Sequence, residues 1–80
     1  MDRTWESKKG QFTYTGAIMK LPDGRHAAMV TNTTDETGEA VLWSEVFPIA
    51  TSIATITGRA VNRFDHFAGQ RNADGSSKRN

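Results

Sequence analysis

Apolar and polar residues alternate along "QFTYTGAIMKL", residues 11–21, with Phe12, Tyr14 and Ile18 on one side and Thr13, Thr15, Ala17, Met19 and Leu21 on the other. A period of two predicts a strand whose faces meet different surroundings. It ends at "LPDGR", where Pro22 presets φ, Asp23 suits the next position and Gly24 can turn left-handed, so a hairpin turn is expected. The second strand, Arg25 to about Thr33, then pairs so that Met19 and Ala27, and Ala17 and Met29, share one face. Ala28 and Val30 join Tyr14 and Ile18 on the other. "NTTDETGE" reads as a polar loop with Gly38 near its exit. "AVLWSEVF", residues 40–47, alternates as a third strand, Val41, Trp43, Glu45 and Phe47 against Ala40, Leu42, Ser44 and Val46.

The next stretch, "VFPIATSIATITGRAVNRFDHF", sets propensity against periodicity. Seven of the thirteen residues from Ile49 to Val61 are β-branched, which favours a strand. At about 100° per residue, however, Ile49, Ile53, Ile56, Ala60, Phe64 and Phe67 fall within an arc of about 80°, and polar residues fill the opposite side. A period of two would turn Ile56 away from Ile49 and Ile53. The spacing therefore predicts a helix over about 48–68, with Pro48 in its first turn and Gly69 just past its end. Gly58 and the β-branched residues give it poor intrinsic propensity, so it should form only when docked.

Together these elements predict an α+β fold, a three-stranded antiparallel sheet (meander) followed by one long C-terminal helix packed on one face. The division is a flexible N-terminal segment over 1–9, one small domain over 10–69 and a disordered tail over 70–80, "QRNADGSSKRN", which lacks apolar anchors. A domain this small buries only about 60% of the surface of its unfolded chain, so its stability as a monomer should be modest and oligomerisation is one way to raise it.

With one helix available, one face of the sheet stays open. Met19, Met29 and Trp43 are assigned to it as partner-binding residues, because methionine and aromatic side chains suit adaptable interfaces. A second candidate surface is the helix stripe of Arg59, Arg63 and His66, with Gln70 nearby. Stacked four residues apart, the two arginines need an acidic partner or solvent, and Glu45 or the acidic loop could supply the former.

The charge is +1 overall, but it is unevenly spread. Residues 26–58 hold four acids and no Lys or Arg, between basic ends. No cysteine is present, so disulfides and thiolate metal sites are excluded. His26 and His66 with scattered carboxylates do not make a metal set, and Asp65 beside His66 points about 100° away from it on a helix, too far round to orient an imidazole. No phosphate-cradling loop or nucleophile motif occurs. The opening residues hold no apolar run of signal-peptide length, and the expected setting is cytoplasmic, with no membrane, cofactor or small-molecule substrate.

"WESKKGQFTY" combines Lys8 and Lys9 with Trp5, Phe12 and Tyr14, the mixture single-strand binders use. Over about ten residues it resembles the Lys-Gly-aromatic-x-aromatic stretch of cold-shock domains and RNA-recognition motifs, which would imply nucleic-acid binding. The order of three strands then a helix is also similar to AP2-type and some phage-integrase DNA-binding domains. The expected function is nonetheless non-enzymatic protein–protein binding, to another protein or to itself as a homodimer. The alternative is nucleic-acid binding through Lys8, Lys9, Arg59 and Arg63.

Overall fold

The computed structural model describes residues 2–78. Four strands, β1 (Arg3–Lys9), β2 (Phe12–Lys20), β3 (His26–Thr34) and β4 (Gly38–Phe47), form an antiparallel sheet in the order β1-β2-β3-β4. One helix, α1 (Ile53–Ala68), lies across one face. The α+β meander with a C-terminal helix is as the pattern predicts, but the sheet has four strands rather than three.

The extra strand occupies the segment expected to be flexible, and Trp5 explains why. Trp5 stands opposite Gly16, and its indole covers the space a side chain there would fill: a Cβ built on Gly16 would lie 2.5 Å from Trp5 Cε2. The ring also meets Phe64 of α1, centroids 5.7 Å apart. One aromatic side chain laid across a glycine thus ties a polar heptapeptide to the core. Between β1 and β2, Lys9 pairs with Phe12, leaving a two-residue turn in which Gly10 has φ 64°, where such hairpins favour glycine.

The β2–β3 register matches expectation, Met19 with Ala27 and Ala17 with Met29. Gly24 turns the chain at φ 93°. Asp23 receives the Arg25 backbone N–H at 3.0 Å and Nε at 2.7 Å, and these bonds, the backbone one foremost, hold its pKa below the usual value.

Between β3 and β4 the ladder shifts at Val30/Thr31: Val30 faces Trp43 but Thr31 faces Val41. Leu42 is thus the extra residue of a bulge, which sends Leu42 and Trp43 to the same side. Strict alternation would have separated them. Both pack against the helix-side core with Tyr14, Val30, Phe64 and Ala68. The adjoining cluster holds Ile18, Ala28, Phe47, Ile56 and Ala60.

The helix starts later than periodicity implies. A turn closed by Thr51 N–H to Pro48 carbonyl (3.0 Å) precedes it, and Ser52 caps it by accepting the Thr55 N–H at 3.1 Å. Ile49 therefore lies before the helix and is 67% exposed, and Ile53, in the first turn, is 39% exposed. Of the three isoleucines only Ile56 is buried.

Residues 70–78 also depart from expectation, since they fold back instead of trailing away. Asn72 N–H bonds Ser76 carbonyl and Gly75 N–H bonds Asn72 carbonyl, at 2.8 and 2.9 Å, and Arg71 pairs with Ser77. This turn rests on the β1–β2 turn through Gly10 N–H to Ala73 carbonyl, 2.9 Å. The approach is backbone to backbone, because a Cβ on Gly10 would lie 2.8 Å from Gly75 Cα. Arg71 completes the latch: its guanidinium sits 3.7 Å from the centre of the Phe12 ring, Nε donates to Tyr14 Oη at 3.0 Å, and Nη1 donates to Gly75 carbonyl at 3.1 Å.

Within this latch Asp74 accepts from Ser76 Oγ and N–H at 2.6 and 2.9 Å, which lowers its pKa from the ordinary 3.8, the side-chain bond first. A depressed folded-state pKa contributes stability above the unfolded value that is lost as pH falls through the folded one. The turn should therefore loosen below about pH 4, seen as faster amide exchange at Gly75 and Gly10 relative to Val30 in the middle of the sheet. The Asp74→Asn variant should lose that acid dependence.

Candidate functional site

The sheet presents two different faces. The helix side carries Arg3, Trp5, Ser7 and Lys9 of β1 and the even-numbered residues of β2, and it is closed by α1. The opposite side follows from the register as four rows across the strands: Lys8, Thr13, Thr33 and Glu39, then Glu6, Thr15, Thr31 and Val41. Next come Thr4, Ala17, Met29 and Ser44, and last Met19, Ala27 and Val46. No described element covers this side. Val41 and Val46 are 57% and 50% exposed on it, while Ala17, Met19, Ala27 and Met29 are half-buried by their neighbours within the sheet.

Two chemistries share this surface. Thr13, Thr15, Thr31 and Thr33 form a block of hydroxyls in which Thr13 faces Thr33 and Thr15 faces Thr31. Ala17, Met19, Ala27, Met29 and Val46 form an apolar block beside it. Both blocks are built from side chains that pack well on a pleated surface, so the face is stable as a strand surface without being closed by the fold.

The structure puts Met19 and Met29 together on the open face, as the alternation implies. Trp43 is not with them. In phase with Glu45 and Phe47, it lies on the helix side, where Arg63 sits over its ring at 5.9 Å. Trp5 also lies on the helix side, over Gly16 and against Phe64. The aromatic residues of the sheet all serve the core side, and threonine is the residue type that sequence reasoning passed over. A sign of it was visible, because Thr13 and Thr15 fall in phase with Ala17 and Met19.

The helix stripe is exposed but engaged. Arg59 Nη1 donates to both oxygens of Glu45 at 3.0 and 3.2 Å, an internal pairing at the surface worth about 0.5 kcal/mol. Arg63 rests on Trp43, and His66 lies edge-on to Phe67 at 5.1 Å and within 3.5 Å of Gln70 Nε2. Lys8 and Lys9, adjacent on β1, emerge on opposite faces. The four cations Lys8, Lys9, Arg59 and Arg63 thus do not form one continuous surface.

A cavity of about 260 Å³ opens on the helix side near the C-terminal end of α1, lined by Tyr14, Asn32, Leu42, Phe67, Gln70, Arg71 and Ser77. Asn32 Oδ1 is buried in its wall without a hydrogen-bond partner among the described residues. Its charged member, Arg71, is held by Phe12, Tyr14 and Gly75 as part of the latch. Among the described residues no three His, Cys, Asp or Glu side chains converge to hold a metal ion. No helix among them is long and apolar enough to cross a membrane.

No family model, curated protein or solved structure matches the chain. The functional reading therefore rests on the surfaces themselves.

Proposed function

We propose that this chain is a small, non-enzymatic protein-binding module that works by docking the open face of its sheet against a protein surface. The supporting observation is the apolar block on that face, with Met19 and Met29 between the small residues Ala17 and Ala27 and with Val41 and Val46 half exposed. The apolar block lies at one end of the face, bordered by Thr4 and Ser44 at its sides and by the threonine rows, and Lys8, Glu6 and Glu39 mark the polar margin beyond them, so that apolar area and a polar margin meet as in an interface. Arg59, Arg63 and His66 stay on the outer side of α1 and form a second, polar surface that such docking leaves free.

Met29→Lys tests the reading, because a lysine on an uncovered strand position can reach water without disturbing the core. The variant should keep the wild-type circular dichroism, bind a hydrophobic-interaction column less strongly and lose any association seen by sedimentation over a concentration series. The reading fails if the wild type is monomeric throughout and the substitution changes neither retention nor solubility.

A further inference from the structure

The rows of the open face are self-complementary in one orientation, and from this we infer that its partner is a second copy of the chain. The two copies are related by a two-fold axis that runs between β2 and β3 along the strands. The inference rests on the reading of the open face as the docking surface and adds the identity and arrangement of what docks there.

A face-to-face pair of identical sheets has its two-fold axis in the plane between them, and with an even number of strands two choices are natural. An axis across the strands would invert the rows, setting Thr13 and Thr33 against the partner's Met19 and Ala27. Hydroxyls would then be buried against methionine without partners, which is costly. An axis along the strands keeps each row opposite itself and exchanges β1 with β4 and β2 with β3.

That second choice matches chemistry and size throughout the centre. Thr13 meets the partner's Thr33, so hydroxyls can donate to and accept from hydroxyls there, and Thr15 lies over the partner's Thr31, which is only 6% exposed among its own strand neighbours. Ala17 meets the partner's Met29 and Met19 meets the partner's Ala27, a large side chain against a small one at every contact. At the corners, Lys8 of β1 meets the partner's Glu39 of β4, and the symmetry repeats the pair. Sheets that pack face to face keep their strands within about 30° of one another, an offset that moves the corners by several ångströms, within the reach of a lysine side chain. In the next row Glu6 of β1 comes opposite the partner's Val41 of β4, where its methylenes can cover the valine while the carboxylate stays at the rim beside Lys8, in water.

The size of the face is adequate. Four strands about 4.8 Å apart and about nine residues long at about 3.4 Å each span close to 600 Å² in projection. Side-chain relief raises the accessible area toward the roughly 800 Å² per partner of a standard interface.

Charge reversal gives a test that the monomer cannot mimic, because Lys8 and Glu39 of one chain are three strand spacings apart, about 14 Å. In Lys8→Glu every corner pairs like with like, and the same holds for Glu39→Lys. Each variant alone should dimerise about tenfold more weakly than wild type at low salt, with the difference shrinking as salt is added. An equimolar mixture of the two restores opposite charges at both corners, so it should form a heterodimer of near wild-type affinity by sedimentation. The double variant K8E/E39K should recover as a homodimer. A wild-type dimer that Met29→Lys disrupts, but whose charge variants do not complement each other, would overturn the arrangement and leave the docking face intact. A wild type that is monomeric at all concentrations while Met29→Lys still lowers column retention would overturn the second copy as partner. A dimer indifferent to Met29→Lys would remove the docking face itself.

Discussion

Gly16→Ala should lower stability by about 2–3 kcal/mol, although it adds one methyl group to a strand where alanine ordinarily outperforms glycine. The new carbon would sit 2.5 Å from Cε2 of Trp5, a rigid ring held between β2 and Phe64, so the indole must move. If Trp5 leaves its place, β1 loses its only apolar anchor. Urea denaturation of a double-mutant cycle checks the cause. Trp5→Ala alone should cost about 3–5 kcal/mol, whereas Gly16→Ala in the Trp5→Ala background should be neutral or slightly stabilising. Equal penalties in both backgrounds would mean that the glycine serves some purpose other than making room for the ring.

Ile56→Ala should be comparably damaging. Ile56 is 0% exposed and lies with Ile18, Ala28 and Phe47 in one core cluster, as the first of the helix's buried residues. Emptying such a site costs about 2–5 kcal/mol. The whole domain, at about 0.05–0.15 kcal/mol per residue, has only about 4–12 kcal/mol to lose over its 80 residues. Because α1 is rich in β-branched residues and carries Gly58, it has little helicity of its own to fall back on. The helical circular dichroism of the variant should fall at low denaturant. Ile49→Ala and Ile53→Ala, at exposed positions, should each change stability by less than about 0.5 kcal/mol, a contrast that places the start of the packed helix at Ser52 and not at Pro48.

What could be read from the sequence was whatever periodicity governs. The hairpin at "LPDGR" and its register followed from alternation plus a strong turn signal. The helix followed from the positions of Ile56, Ala60 and Phe64. The features that escaped depend on one residue meeting another far along the chain. In β1 a single tryptophan is too little for a pattern, and its docking site is an absence of side chain eleven residues later. The bulge at Leu42 appears only in the ladder with β3: Trp43 keeps phase with Glu45 and Phe47 on the helix side, and Val41 is the residue sent to the open face. The tail carries a turn signal in "ADG", yet nothing in its own composition tells that Gly75 will lie against Gly10 or that Arg71 will settle on Phe12. For the candidate surface, Met19 and Met29 were legible as a pair on one face. The threonine block beside them became visible only when β2 and β3 were seen side by side.

The bulge has a bearing on how large any assembly can grow. β4 ends the sheet on one side, and a regular outer rim of N–H and C=O groups would invite further strands from other copies, one after another. The extra residue at Leu42 interrupts that rim at mid-length and increases the local twist, so an added strand could not zip along it in one register. On the far side of the sheet β1 presents Arg3, Glu6, Lys8 and Lys9, charges that equally discourage a newcomer. With both margins blunted, edge-to-edge growth into open-ended filaments is disfavoured, and the flat of the sheet is the surface left for the proposed pairing, which would close on itself at two.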